Sequence, residues 1–177
     1  TTAFIAIEDG VPTWIPLVMP WYLDDDANWD REDKPPEGLE NVITISSTNR
    51  AYTALKADGT VTVWGYVGTG GNDTVPSNLT NVRAVFASAN SFVALMRDKT
   101  VASWGSPRSG GLAHPGLTNV KTIVSCELGF AALKEDGSVL SWGAVTNGGF
   151  IPLNLNHSIQ KIYPAKTYFV AVQPYGR

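Results

Sequence analysis

The chain has one cysteine and two histidines among its 177 residues. A single thiol excludes an internal disulfide and leaves the redox compartment open. Cys126, His114 and His157 are too few to make a zinc set of recognisable spacing. Charge is sparse as well: Asp, Glu, Lys and Arg make up 16% of the residues, against about a quarter in an average soluble domain. The formal net charge of −3 argues against a surface of clustered Lys and Arg for nucleic acid. No apolar run approaches the roughly 20 residues that a membrane helix needs. The opening stretch, TTAFIAIEDG, has neither a basic segment nor an initiator Met. It does not read as an intact signal peptide, and the chain is expected to be processed, trimmed or part of something longer.

What is present points to β-structure. The hydrophobic fraction is 44%, and six Trp, 17 Gly and 11 Pro suit short strands with many turns. A chain of this length can bury a substantial core as one domain. Its most informative property is self-similarity. Apolar strand starts recur at Val42, Val82, Val120 and Ile159, and an aromatic recurs at Phe4, Tyr52, Phe92, Phe130 and Phe169. An aliphatic follows each aromatic three residues later, at Ile7, Leu55, Leu95, Leu133 and Val172. Trp-Gly stands at 64–65, 104–105 and 142–143, each time followed by four residues and Gly-Gly. Ungapped recurrence at about forty residues is the signature of a repeat architecture.

Each unit reads as three strands. NVITIS alternates and is β-branched, AYTALKA follows, and TVTVW returns after a turn. Asp58-Gly59 and Asp136-Gly137 supply the positive φ that a tight hairpin turn needs. Asp98-Lys99 departs from that pattern, and a side chain in such a position costs on the order of 1 kcal/mol. Pro76, Pro115 and Pro152 stiffen the connection to the next unit. One three-stranded sheet cannot bury both faces, so units must stack side by side or around an axis. Helical repeats of similar period fit poorly with a two-residue alternation.

The pattern NVxxIxS…AxxALKxDGTVxxWG…GG…VP…LTNV resembles the RCC1-like repeat in its compact bacterial form. The resemblance covers roughly residues 38–172, with a partial unit at 3–14, and is specific for fold rather than function. It implies an all-β RCC1-like β-propeller, or a propeller segment, of about four blades. Family members usually close seven blades, so three arrangements remain open: an arc of a larger propeller, two chains completing one ring, or a small four-bladed ring. The aromatic strand is present at both termini, and unpaired strand edges associate readily. Self-association or a missing neighbouring segment is therefore expected.

Residues 15–37 break the repeat with IPLVMPWYLDDDANWDREDKPPE, a divergent acidic and aromatic insertion. Trp21, Tyr22 and Trp29 are the residue types that anchor partners, or else they fold back to cap the first blade. Asp24, Asp26, Asn28 and Asp30 alternate as calcium-loop ligands do, but Trp29 and Pro35 occupy the positions of the required Gly and Glu. A solvated acidic loop is the simpler reading, and no other metal or cofactor is expected. Trp64, Trp104 and Trp142 are expected in blade cores rather than as a ligand ladder. Cys126 reads as a buried strand residue. The Gly pairs lack the Lys-Ser/Thr of a phosphate loop.

The tips between Trp-Gly and Gly-Gly differ in every unit: YVGT, SPRS and AVTN. A constant frame with variable tips is how rigid scaffolds carry contact sites. Contacts are therefore expected at Tyr66, Arg108 and Asn147, joined by the insertion. The expectation is a non-catalytic module that binds another protein. A lectin-like propeller is the first alternative, disfavoured because the repeated Trp brings no repeated Arg or Glu. The second is a structural segment of a larger surface or virulence protein. An enzyme ranks last on its inventory of His and Cys. The resembling family includes a nucleotide-exchange factor and an enzyme inhibitor, and neither activity transfers by fold alone.

Overall fold

The computed structural model describes residues 4–8, 11–15, 35–71, 75–77, 79–144 and 158–174, the first two stretches as backbone. All regular elements there are strands apart from two single 3-10 turns. A hairpin, β1 (Phe4–Glu8) and β2 (Val11–Ile15), comes first. Three meanders follow: β3 (Val42–Ser47), β4 (Ala51–Lys56) and β5 (Val61–Gly65); β6 (Val82–Ala87), β7 (Ser91–Met96) and β8 (Val101–Gly105); and β9 (Val120–Cys126), β10 (Gly129–Lys134) and β11 (Val139–Gly143). β12 (Lys161–Pro164) and β13 (Phe169–Val172) pair as a final two-stranded sheet. The fold is all-β, with antiparallel three-stranded sheets recurring about every forty residues, as the repeat requires.

Register explains the two recurrences in the sequence together. Tyr52 lies opposite Trp64, Phe92 opposite Trp104, and Phe130 opposite Trp142. Their rings stack with centroids 5.5, 5.4 and 5.7 Å apart. Offset pairs of this kind contribute about 0.5–1.5 kcal/mol beyond the area they bury. Trp64, Trp104 and Trp142 are 3%, 1% and 5% exposed, which places them in the core as their periodicity predicts. The first hairpin differs. In the backbone register Trp14 pairs with Ile5 and Phe4 with Ile15, so Phe4 does not take the aromatic position of the complete units.

Each first strand carries a bulge. The pairing skips Ile43 and Arg83 in β3 and β6, and shifts at the corresponding point of β9. An extra residue turns the alternation over. Val42, Val82 and Val120 are thus buried while Ile43 is 59% exposed.

Units are joined by backbone. The amides of Val82, Val120 and Ile159 donate to the carbonyls of Gly59, Lys99 and Gly137 in the preceding turn, at 2.9, 3.0 and 2.9 Å. A second ladder crosses the hairpin loops: the Asn49 amide donates to Ala89 O, Ala89 to Glu127 O, and Glu127 to Lys166 O. Apolar cores fill the seams. Leu55, Val63, Val82 and Val85 cluster with Phe92 and Trp104, and Leu95, Val120 and Ile123 with Phe130 and Trp142. β1 lies against β3 as β4 lies against β6, β7 against β9 and β10 against β12.

The Gly pair has a job at these seams. Gly110 sits at φ +93, where its missing Cβ would stand 2.5 Å from the Phe130 ring of the next unit. Trp142 Nε1 donates to Gly110 O at 3.0 Å, so the pair of one unit rests on the aromatic stack of the next. A Cβ on Gly111 would collide with the Gly105 carbonyl.

Candidate binding rim

The turns between second and third strands occupy one end of the units. Asp58 Oδ1 accepts from the Thr60 amide at 2.8 Å and its hydroxyl at 2.7 Å. Asp98 with Thr100, and Asp136 with Ser138, repeat the arrangement. These hydroxyl bonds, followed by the amide bonds, hold all three carboxyls below their ordinary range. Lys99 adopts φ +67, the left-handed conformation that the sequence flags as costly. Its ammonium lies 2.9 Å from Glu135 of the next unit. That bond, and then the Lys99 charge, lower the Glu135 carboxyl. This end is close to uniform from unit to unit.

The opposite end is not. In a three-stranded meander the first hairpin loop and the exit of the third strand share one edge, so two loops per unit meet there. The Tyr66, Ser106 and Ala144 amides accordingly donate to the Arg50, Asn90 and Leu128 carbonyls at 2.7, 2.9 and 2.8 Å. After the Trp-Gly, 3-10 turns at Val67–Thr69 and Pro107–Ser109 project the variable tips. The Thr48 hydroxyl donates to Thr69 O, and the Ser88 hydroxyl to Ser109 O, both at 2.9 Å. A half-buried and a buried hydroxyl thereby hold exposed tips in place.

Of the sequence-predicted contacts, Tyr66 and Arg108 lie on this rim in neighbouring units, both exposed. Tyr66 is 43% exposed, with Val67 beside it at 44%. Trp21, Tyr22, Trp29, Asn147 and the calcium candidates Asp24, Asp26, Asn28 and Asp30 lie outside the described residues. The same holds for His157, whereas His114 is exposed in the linker that follows the second unit. Cys126 is buried at the end of β9, and burial pushes its thiol up. Among the described residues no three His, Cys, Asp or Glu side chains converge as a metal set, and no helix is long and apolar enough to cross a membrane.

The structure adds rim residues that the tips alone do not reveal. The Arg50 guanidinium lies 4.6 Å from the Tyr66 ring centroid, a cation–π contact. Asn49 Nδ2 donates to Asn90 Oδ1 at 3.4 Å, and Asn90 Nδ2 donates to Ser109 Oγ at 3.4 Å. Arg50, Tyr66, Asn49, Asn90 and Arg108 therefore form one strip across two units. Strand parity is the signal that finds them: any residue of the first hairpin loop must share the edge of the Trp-Gly tips.

No protein-family model matches the chain, and no curated protein sequence matches it. Among solved structures it is similar to the CRINKLY WD40 ectodomain of the Arabidopsis thaliana receptor kinase ACR4. The TM-score is 0.57 at 18% identity, over 80% of this chain and 51% of that one. The ectodomain of the Physcomitrella patens receptor kinase CR4 gives 0.54 at 16% identity, over 75% of this chain and 37% of that one. The chain thus spans about half the length of the first and less of the second. At such identities the likeness concerns architecture: these are propeller-like repeats of small antiparallel sheets.

Proposed function

We propose that the chain is a non-catalytic module that binds another protein through the rim bearing Tyr66 and Arg108. The observation that carries this reading is the contrast in one unit between a backbone-locked frame and tips that share almost no side chains. Rigid loops lose little freedom on binding, so their contacts are not spent on ordering. Exposed Tyr and Arg are the side chains that most often dominate protein interfaces. The likeness to receptor ectodomain propellers is consistent with recognition. We also read the units as RCC1-like, on the spacing of the Trp-Gly and Gly-Gly pairs. Trp21, Tyr22 and Trp29 would extend the contact, and Asn147 would do so from the third unit.

Partner capture by the intact protein, by a Tyr66→Ala/Arg108→Ala variant and by a variant lacking residues 17–34 tests this. Equal recovery of every partner by all three would end the proposal. Self-association is the second reading. It is favoured by Val170 and Val172 on the last sheet and by Tyr168 just before its second strand, which are 46%, 41% and 59% exposed. Light scattering decides it, because a monomer across a wide concentration range removes that reading.

A further inference from the structure

We infer that the open edge of β13 takes a third strand from a partner protein, an extended segment of the kind Val-x-Ser-Trp-Gly, with its Trp seated on Phe169 and Ala171. This surface is separate from the rim, and the inference does not rest on the rim reading.

The edge comes first. β12 and β13 pair as the first and second strands of a unit, and among the described residues no strand pairs with the far side of β13. Tyr168 O accepts from the Ala165 amide and Val172 O from the Gln160 amide, both at 2.8 Å. Those residues bond toward β12, so by alternation Phe169 and Ala171 turn their peptide groups outward. Their counterparts in the first complete unit face the third strand, Tyr52 opposite Trp64 and Ala54 opposite Thr62. No charged residue or proline blunts Phe169–Val172, the usual protection of an edge that stays unpaired.

The seat comes second. Phe92 and Phe130 are 0% exposed, as are Ala54, Ala94 and Ala132 two residues beyond the aromatic of each second strand. Phe169 is only half-buried and Ala171 is exposed. Both lie on the face that meets the preceding unit, where Phe169 packs against the cluster of Leu133, Ile159 and Ile162. A preceding unit backs the second and third complete units in the same way. What differs is the third-strand Trp, whose ring stands 5.4 Å from Phe92 and 5.7 Å from Phe130.

The occupant follows from the units themselves. Their third strands read VTVWG, VASWG and VLSWG. The final Gly stands at φ +105, +100 and +117, where a Cβ would strike the carbonyl of the facing hairpin loop. Added strands gain affinity from main-chain bonds and specificity from such side-chain seats. A second copy does not supply this segment: its third strands are paired within their own sheets, and β13 laid against β13 brings no Trp to Phe169. Nor is this face built for a further unit. Ala51 and Ser91, each just before the recurring aromatic, are 0% exposed, and Ala51 lies in the core shared with Val82 and Phe92 of the next unit. Tyr168 puts a phenol at that position, 59% exposed, which obstructs such a seam and leaves the edge as what this end offers.

A fluorescein-labelled peptide TVASWGS, the sequence of residues 100–106, titrated against the whole protein by anisotropy, tests the inference. Saturable binding is expected, weakened about tenfold or more when the peptide's Trp is replaced by Ala. N-methylation of its Trp and Ala amides should abolish binding, because in the complete units these positions bond to the second strand. N-methylation of its Val and Ser amides, which alternate to the other side, should not. Ala171→Glu, at an exposed position, should reduce binding about as far as loss of the Trp while leaving the melting temperature in place. Tyr66→Ala/Arg108→Ala should leave binding unchanged. No binding, or equal binding of the two N-methylated peptides, would overturn the inference. Loss of binding in the rim variant but not in Ala171→Glu would also overturn it and move the segment to the rim. A dimer in light scattering that the peptide does not dissociate would give the edge to a second copy and overturn it as well.

Discussion

The two ends of each unit are built from the same three strands and treat variation in opposite ways. At the turn end, Asp58, Asp98 and Asp136 make the same pair of hydrogen bonds with Thr60, Thr100 and Ser138. The turn carbonyl then receives the next unit's first-strand amide. The Asp is kept in every complete unit, and the residue whose carbonyl accepts changes from Gly59 and Gly137 to Lys99 only by keeping the left-handed backbone. At the loop end, peptide groups make the repeated links between units, beside one 3.4 Å side-chain bond from Asn49 to Asn90, and the hydroxyls of Thr48 and Ser88 reach carbonyls rather than particular side chains. The outward-facing residues there are released from structural duty.

Substitutions along this contrast should show graded effects, the frame failing first. Trp104→Ala removes a 1%-exposed ring stacked on Phe92 and should cost about 3–5 kcal/mol. Chemical denaturation would show a lower midpoint, or no folded state at all. Gly110→Ala should come next, at about 1–3 kcal/mol, because it forces a Cβ toward Phe130 at φ +93. A midpoint equal to that of the parent would mean that the seam is looser than drawn.

Acid offers a milder probe of the turn end. The folded carboxyls of Asp58, Asp98 and Asp136 titrate below their unfolded value of about 3.9. Their contribution is therefore complete above that value and is lost as pH falls through the lower folded range. Melting temperature should drop between neutral pH and pH about 3. The drop should be smaller in a triple Asp→Asn variant, whose turns keep an acceptor without a titrating proton. Lys99→Gly should move stability least within the frame. Relief of the left-handed conformation favours it by at most about 1 kcal/mol. Loss of the exposed contact with Glu135 offsets part of this, and only a small part because solvent screens the pair. A large loss would show that the ion pair between units matters more than its exposure suggests. At the loop end, Tyr66→Ala and Arg108→Ala should leave the denaturation midpoint within about 0.5 kcal/mol of the parent while removing partner binding.

Much of the frame was legible because the chain writes it more than once. The strand starts at Val42, Val82 and Val120, and the buried Trp residues, follow directly from period and alternation. The pairing of the recurring aromatic with the recurring Trp was harder to see, since it depends on how many residues the intervening turn consumes. That count differs in the first hairpin, where Phe4 misses Trp14. The left-handed residues Asn41, Asn81 and Asn119, at φ 59, 57 and 57, stood in plain view before each strand-opening Val. Their role lies in carbonyls that accept from Ala57, Arg97 and Glu135, partners about sixteen residues away. The rim was half legible. Tip variability marked Tyr66 and Arg108, whereas Arg50, Asn49 and Asn90 come from a loop whose end of the sheet only strand parity reveals.

The amide ladder through Asn49, Ala89, Glu127 and Lys166 has a consequence for how such a surface can change. An amide, an aliphatic, an acid and a base occupy its four rungs, and every rung is held by main-chain atoms. Selection, or an engineer, can rewrite the outward chemistry rung by rung without renegotiating how the sheets sit beside one another.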